Sequence, residues 1–132
     1  MEIVTWNKSY SVSIPSIDEQ HKKLISYIND FYTQMLGDTP NEEIIETTLR
    51  RLYDYAKEHF SYEEGLLRSN GYSDYMRHKQ AHTDFLRKVR EFEKEETLDP
   101  QELLFFLQNW LIKHIKGEDM AYSPFLYNKG VR

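Results

Sequence analysis

Apolar residues recur at intervals of three and four along four stretches of this chain, the spacing that gathers them on one face of an α-helix. The pattern and its punctuation predict helices over 17–36, 40–69, 74–95 and 100–127, after a non-helical arm at 1–15. Ser16 with Glu19, Thr39 with Glu42 and Asp99 with Glu102 each fit a capping box, in which a side chain at the helix start accepts from a free backbone N–H three residues on. Pro40 and Pro100 then occupy the first helical position, where a missing N–H costs nothing. Gly37 stops the first helix, Asn70 and Gly71 the second, and the acidic stretch EKEE the third. Short connections between long amphipathic helices predict an all-α fold, an antiparallel up-and-down four-helix bundle forming a single domain over 1–132. No internal repeat or low-complexity tract competes with it.

Composition narrows the function. A chain of 132 residues, 39% hydrophobic and 30% charged, supports one compact core. The net charge of -5 comes from interspersed acids and bases, which excludes a nucleic-acid or anionic-membrane surface among its partners. No run of roughly 18 apolar residues is present, and MEIVTWNKSY lacks a basic segment followed by an apolar one. A cytoplasmic protein is therefore expected. Without cysteine, any metal must be held by histidine and carboxylate.

All five histidines fall on the apolar seams. His21 is in register with Leu24, Ile25, Ile28 and Met35, and His59 with Leu49, Leu52, Ala56 and Leu66. His78 and His82 share a face with Tyr75, Phe85, Val89 and Phe92, and His114 follows Leu103, Leu107 and Leu111. One histidine on such a face is commonly an ordinary core residue with its hydrogen bonds satisfied. Height along the bundle changes that reading. The start of the first and third helices and the end of the second and fourth lie at one end of an up-and-down bundle, so every histidine converges there. Clustered imidazoles in an apolar interior leave donors and acceptors unmet unless a metal uses them. In HFSYE, Glu63 follows His59 by one turn and points the same way, whereas neighbouring Glu64 reads as a solvated acid. Five imidazoles and two carboxylates exceed a tetrahedral zinc site, and nitrogen and oxygen donors without sulfur suit iron, so two metals are implied.

The second carboxylate is ambiguous. In HIKGED, Glu118 lies only about 40° around a regular helix from His114, while Asp119 points about 140° away. Helix geometry alone favours Glu118.

These residues resemble the hemerythrins, in particular the single-domain bacterial ones. That family's pattern is a His in the first helix, HxxxE in the second, HxxxH in the third and HxxxxD in the fourth. Here His21, HFSYE, HKQAH and HIKGED stand in that order, within IDEQHKKL, GYSDYMRHKQAHTDF and WLIKHIKGEDMAY. The resemblance implies that His78, His82 and His114 bind one iron, His21 and His59 the other, and that Glu63 and Asp119 bridge them. It therefore selects Asp119. For Asp119 to face the metals of His114, the helix must contain a wide π-type turn between them, with Gly117 easing the deformation and Glu118 turned to solvent. The competing account is a regular helix with Glu118 as ligand.

Two octahedral irons offer about twelve positions, of which five imidazoles, two bridging carboxylates and a bridging oxo or hydroxo fill all but one. By resemblance that position, on the iron of His21 and His59, takes dioxygen, and Leu24, Phe60, Trp110, Leu111 and Ile115 surround it. The same five residues also read as ordinary bundle core. The implied function is reversible dioxygen binding for carriage, storage or sensing, without enzymatic turnover. A diiron enzyme acting on dioxygen, peroxide or nitric oxide is the alternative. Carboxylate-rich diiron enzymes use Glu-x-x-His pairs, and the residues three before the histidines here are Asp18, Ala56, Tyr75, Lys79 and Leu111. A helical interaction module with an incidental zinc site is a third reading. A freestanding domain leans toward storage or delivery, and an unidentified protein partner would convert it to a sensor.

Overall fold

The computed structural model of the chain describes residues 3–36, 41–94 and 99–132. Helix α1 spans Pro15–Met35, α2 Glu42–Ser69, α3 Tyr75–Lys94 and α4 Pro100–His114. A π-helical turn, Ile115–Asp119, joins α4 directly to α5, Met120–Asn128. Helix α1 packs on α2 and α4, and α3 on α2 and α4, so the four long helices close in cyclic order into a four-helix bundle. Among the described residues no helix is long and apolar enough to cross a membrane.

Two predicted helix starts move. The first helix begins at Pro15, behind Ile14, without a side-chain cap. Proline's fixed φ suits that first position, and the arm takes over the nearby polar groups. Asp18 accepts from Ser11 Oγ at 2.6 Å and from the Val12 N–H at 2.9 Å, while Glu19 pairs with Lys22 at 3.0 Å. Ser16 accepts from the Tyr62 hydroxyl at 2.9 Å. Helix α2 is capped by Asn41, whose Oδ1 accepts from Glu43 N–H at 2.9 Å; Gly37, Thr39 and Pro40 lie outside the described residues. At α4 Asp99 is the cap, as expected, but its Oδ1 accepts from the Gln101 N–H at 3.0 Å, two residues on rather than at Glu102, with Pro100 at the first position.

The arm closes the bundle. The Asn29 amide grips it by accepting from the Ile3 and Val4 N–H groups at 2.9 and 3.0 Å and donating to the Val4 carbonyl at 2.9 Å. Further along, Ser123 Oγ donates to the Val12 carbonyl. Val12 and Ile14 are thereby buried with Ile17, Leu67, Tyr122 and Leu126 in a small apolar cluster. A larger cluster, with Leu24, Phe60, Leu107 and Leu111 among its members, fills the body of the bundle.

Candidate metal centre

His21, His59, Glu63, His78, His82, His114 and Asp119 are all buried, each no more than 5% exposed, and they meet. Helix α1 supplies His21, α2 supplies His59 and Glu63, α3 supplies His78 and His82, and α4 ends at His114. Asp119 arrives through the π turn. A backbone hydrogen bond spanning five residues widens the turn by one residue, which rotates Asp119 onto the face of His114. Its Oδ1 lies 3.1 Å from His114 Nε2. Gly117 is not required there by space or by φ: an added Cβ would meet nothing within 4 Å, and its φ is not positive.

Each carboxylate divides its two oxygens between two groups of imidazoles. Glu63 turns Oε1 to Nε2 of His78 and of His82, the latter at 3.4 Å, and Oε2 to Nε2 of His59 at 3.0 Å and of His21 at 3.7 Å. Asp119 turns Oδ1 to His78 and His114, both at 3.1 Å, and Oδ2 to His21 at 3.2 Å. The result is a three-histidine half and a two-histidine half, with a carboxylate oxygen of each acid facing each half.

Behind three of the rings stand polar side chains, of which Gln20 and Glu64 were not assigned to the site from the sequence and Glu118 was weighed there only as a competing ligand. Gln20 Oε1 lies 2.6 Å from His59 Nδ1, Glu64 Oε2 lies 2.8 Å from His82 Nδ1, and Glu118 Oε2 lies 3.0 Å from His114 Nδ1. Glu64 is therefore not the solvated acid its position suggested, with its side chain only 19% exposed. Glu118 remains half exposed while reaching the ring from outside, so the two neighbouring acids address opposite nitrogens of one histidine. For Glu118 the signal was its four-residue spacing from His114, and for Gln20 and Glu64 it was adjacency to His21 and Glu63 in the sequence.

Among the residues expected to wall an oxygen pocket, Leu24, Phe60, Leu111 and Ile115 are buried in the larger core cluster and Trp110 packs against it. Phe60 stacks on His82, with ring centroids 3.9 Å apart, and Trp110 on His114 at 4.4 Å. Phe60 also lies 5.8 Å from the His59 ring, which places it at the boundary of the two halves.

Charge is concentrated here. Burial lowers the proton affinity of His21, but Asp119 and Glu63 outweigh it and raise its pKa to about 9. The same opposition raises His78 to about 9, and Asp119 with Glu118 raises His114 to about 10. His59 goes the other way, because burial prevails over Glu63. Burial would raise both buried acids, yet the surrounding imidazoles hold Glu63 well below its ordinary range and Asp119 below its own.

These directions set the pH response of the metal-free protein. His21, His78 and His114 stabilise the fold fully below their ordinary value of 6.5, and that contribution is lost as pH climbs through about 9 to 10. Glu63 and Asp119 contribute above their ordinary 4.5 and 3.8 and lose that contribution as pH falls. His59 opposes the first group but is outnumbered. Thermal unfolding of metal-free protein should therefore peak between about pH 5 and 6.5 and fall markedly by pH 10. Bound metal competes with the same protons, so adding it should move the maximum upward. A flat profile from pH 6 to pH 10 would refute this picture.

The donor set fits a metal. His82 and His114 face each other through Nε2 at 2.9 Å while both Nδ1 atoms lie against carboxylates. The two Nε2 atoms converge where one cation could take both lone pairs, in place of the proton they share in the metal-free protein. Both oxygens of Asp119, Oε2 of Glu63 and Nε2 of His21 make no well-aligned hydrogen bond despite full burial. Five nitrogens and two carboxylates exceed a tetrahedral zinc site and contain no thiolate, a set suited to iron.

Comparison with known proteins agrees with this chemistry. The family model described as hemerythrin HHE cation binding domain matches residues 12–126. A bacteriohemerythrin of Stenotrophomonas maltophilia is 32% identical over 130 residues, covering 93% of this chain and 81% of the relative. One hemerythrin subunit of Sipunculus nudus is 31% identical over 121 residues, covering 92% of each. A crystal structure of wild-type hemerythrin superimposes with a TM-score of 0.86 at 28% identity, over 94% of this chain and 98% of that one. With the family's domain spanning most of its length and relatives of that name aligned along nearly all of it, this chain belongs to the hemerythrin family.

Proposed function

We propose that this protein binds dioxygen reversibly, without turnover, at two iron ions held by His21, His59, Glu63, His78, His82, His114 and Asp119. In this reading His78, His82 and His114 hold one ion and His21 and His59 the other, with Glu63, Asp119 and an oxo or hydroxo group bridging. The observation that carries it is the division of each carboxylate, one oxygen toward each group of imidazoles. Membership of the hemerythrin family supports oxygen binding as the function.

Bound iron would supply the electrons on which reversible uptake of dioxygen depends. The chain's own part is to position and to shield. Phe60 and Trp110 lie face-on against His82 and His114 and fix the planes of those rings. Leu24, Leu111 and Ile115 present only hydrocarbon, and exclusion of water and of stray protons is what keeps a bound gas from being reduced further.

The visible spectrum of reduced, iron-loaded protein tests this. Colourless protein should gain an absorption band on exposure to air and lose it when the gas is removed, over repeated cycles. Rapid, irreversible oxidation with released peroxide would instead support a diiron enzyme, and a protein that takes up zinc but no iron would defeat both.

A further inference from the structure

The three side chains behind the imidazoles are unequal. On the three-histidine half the oxygens facing Nδ1 belong to carboxylates, Glu64 at His82 and Glu118 at His114. On the two-histidine half the one that faces His59 belongs to a neutral amide, Gln20. An acceptor at Nδ1 holds the proton on that nitrogen and leaves the Nε2 lone pair turned into the cluster, where the carboxylates of Glu63 and Asp119 lie. A carboxylate draws on that proton more strongly than an amide oxygen does, and so leaves the ring the better electron donor at Nε2.

The chain builds this arrangement economically. Gln20 precedes His21, Glu64 follows Glu63 and Glu118 precedes Asp119, yet each supports a different histidine. Neighbouring residues on a helix point about 100° apart. One of each pair therefore enters the cluster while the other passes behind a ring, in two cases the ring of a neighbouring helix.

We infer that Gln20 and Glu64 are positioning residues that fix the tautomers of His59 and His82, that Glu118 acts on His114 through its charge 3.0 Å from Nδ1, and that the difference in charge makes the three-histidine half the stronger electron donor to metal. The inference rests on the proposed ligand set. Solvent separates the two acids: the Glu64 side chain is 19% exposed and that of Glu118 49%, so water screens Glu118 more and Glu64 exerts the larger effect.

The test uses the full chain reconstituted anaerobically with ferrous iron, reading iron per chain and the midpoint potential of the centre. Glu64→Gln keeps a hydrogen-bond acceptor at His82 Nδ1 but removes its charge, and Glu118→Gln removes the charge beside His114 Nδ1. Both should retain iron, with affinity falling by no more than about 10- to 100-fold, and should raise the potential, Glu64→Gln the more. Gln20→Glu adds charge on the other half and should lower it. Potentials that stay put in variants holding the wild-type iron complement overturn this inference and leave the ligand set standing. Failure of the wild-type chain to take up iron overturns the ligand set, and this inference with it.

Discussion

Asp119→Ala should leave the protein unable to hold its full complement of iron, whereas Glu118→Ala should still load. Asp119 is fully buried, and its oxygens reach His78 and His114 on one side and His21 on the other. No other side chain in reach replaces both oxygens, so the proposed bridge goes with it. The metal-free protein should suffer too, because removing one partner of a buried ionic cluster costs about 3–5 kcal/mol. Glu118 sits outside the ring, on Nδ1 of His114, and its loss removes support rather than a ligand. The expected penalty is about 10- to 100-fold in metal affinity, which excess iron overcomes. Iron analysis of both variants, with circular dichroism to establish folding, decides the matter. Iron retained by Asp119→Ala and lost by Glu118→Ala would reverse the assignment.

Leu111→Ala should combine a loss of stability with faster autoxidation. Leu111 is buried in the larger core cluster one helical turn before His114. Truncation of a buried leucine costs about 2–5 kcal/mol, and the cavity it leaves beside the proposed iron site would admit the water that an all-hydrocarbon wall keeps out. Denaturant unfolding reads the first effect, and the decay of the oxygenated spectrum in air reads the second. Phe105→Ala serves as control, since that ring is 69% exposed and its removal should change stability by no more than about 0.5 kcal/mol. Lowered stability with an unchanged autoxidation rate would place Leu111 in the core and not at the gas pocket.

Much of the bundle and its buried cluster was legible in the amino-acid sequence, because helical periodicity reports the angle of each side chain about its axis. Asn70, Gly71 and Asp99 marked their helix ends closely enough to help bring five histidines and Glu63 to one height. The π turn needed a conflict to reveal it: family resemblance chose Asp119, regular geometry chose Glu118, and only an extra residue in the turn satisfied both. In the folded protein each acid takes one nitrogen of His114.

What periodicity does not carry is the neighbour across the interface. The start at Pro15 depends on an arm whose Ser11 and Val12 engage Asp18, a contact that no local rule for capping anticipates. Glu64 looked like a solvated acid because its own helix turns it away from the seam, yet α3 places His82 within 2.8 Å of it. Gln20 likewise meets His59 only once α1 and α2 have packed. Sequence by itself determined which residues turn toward the core and at which end. Tertiary packing alone decided which atoms meet, since a hydrogen bond is settled within a few tenths of an ångström while helical phase is known only to a fraction of a turn.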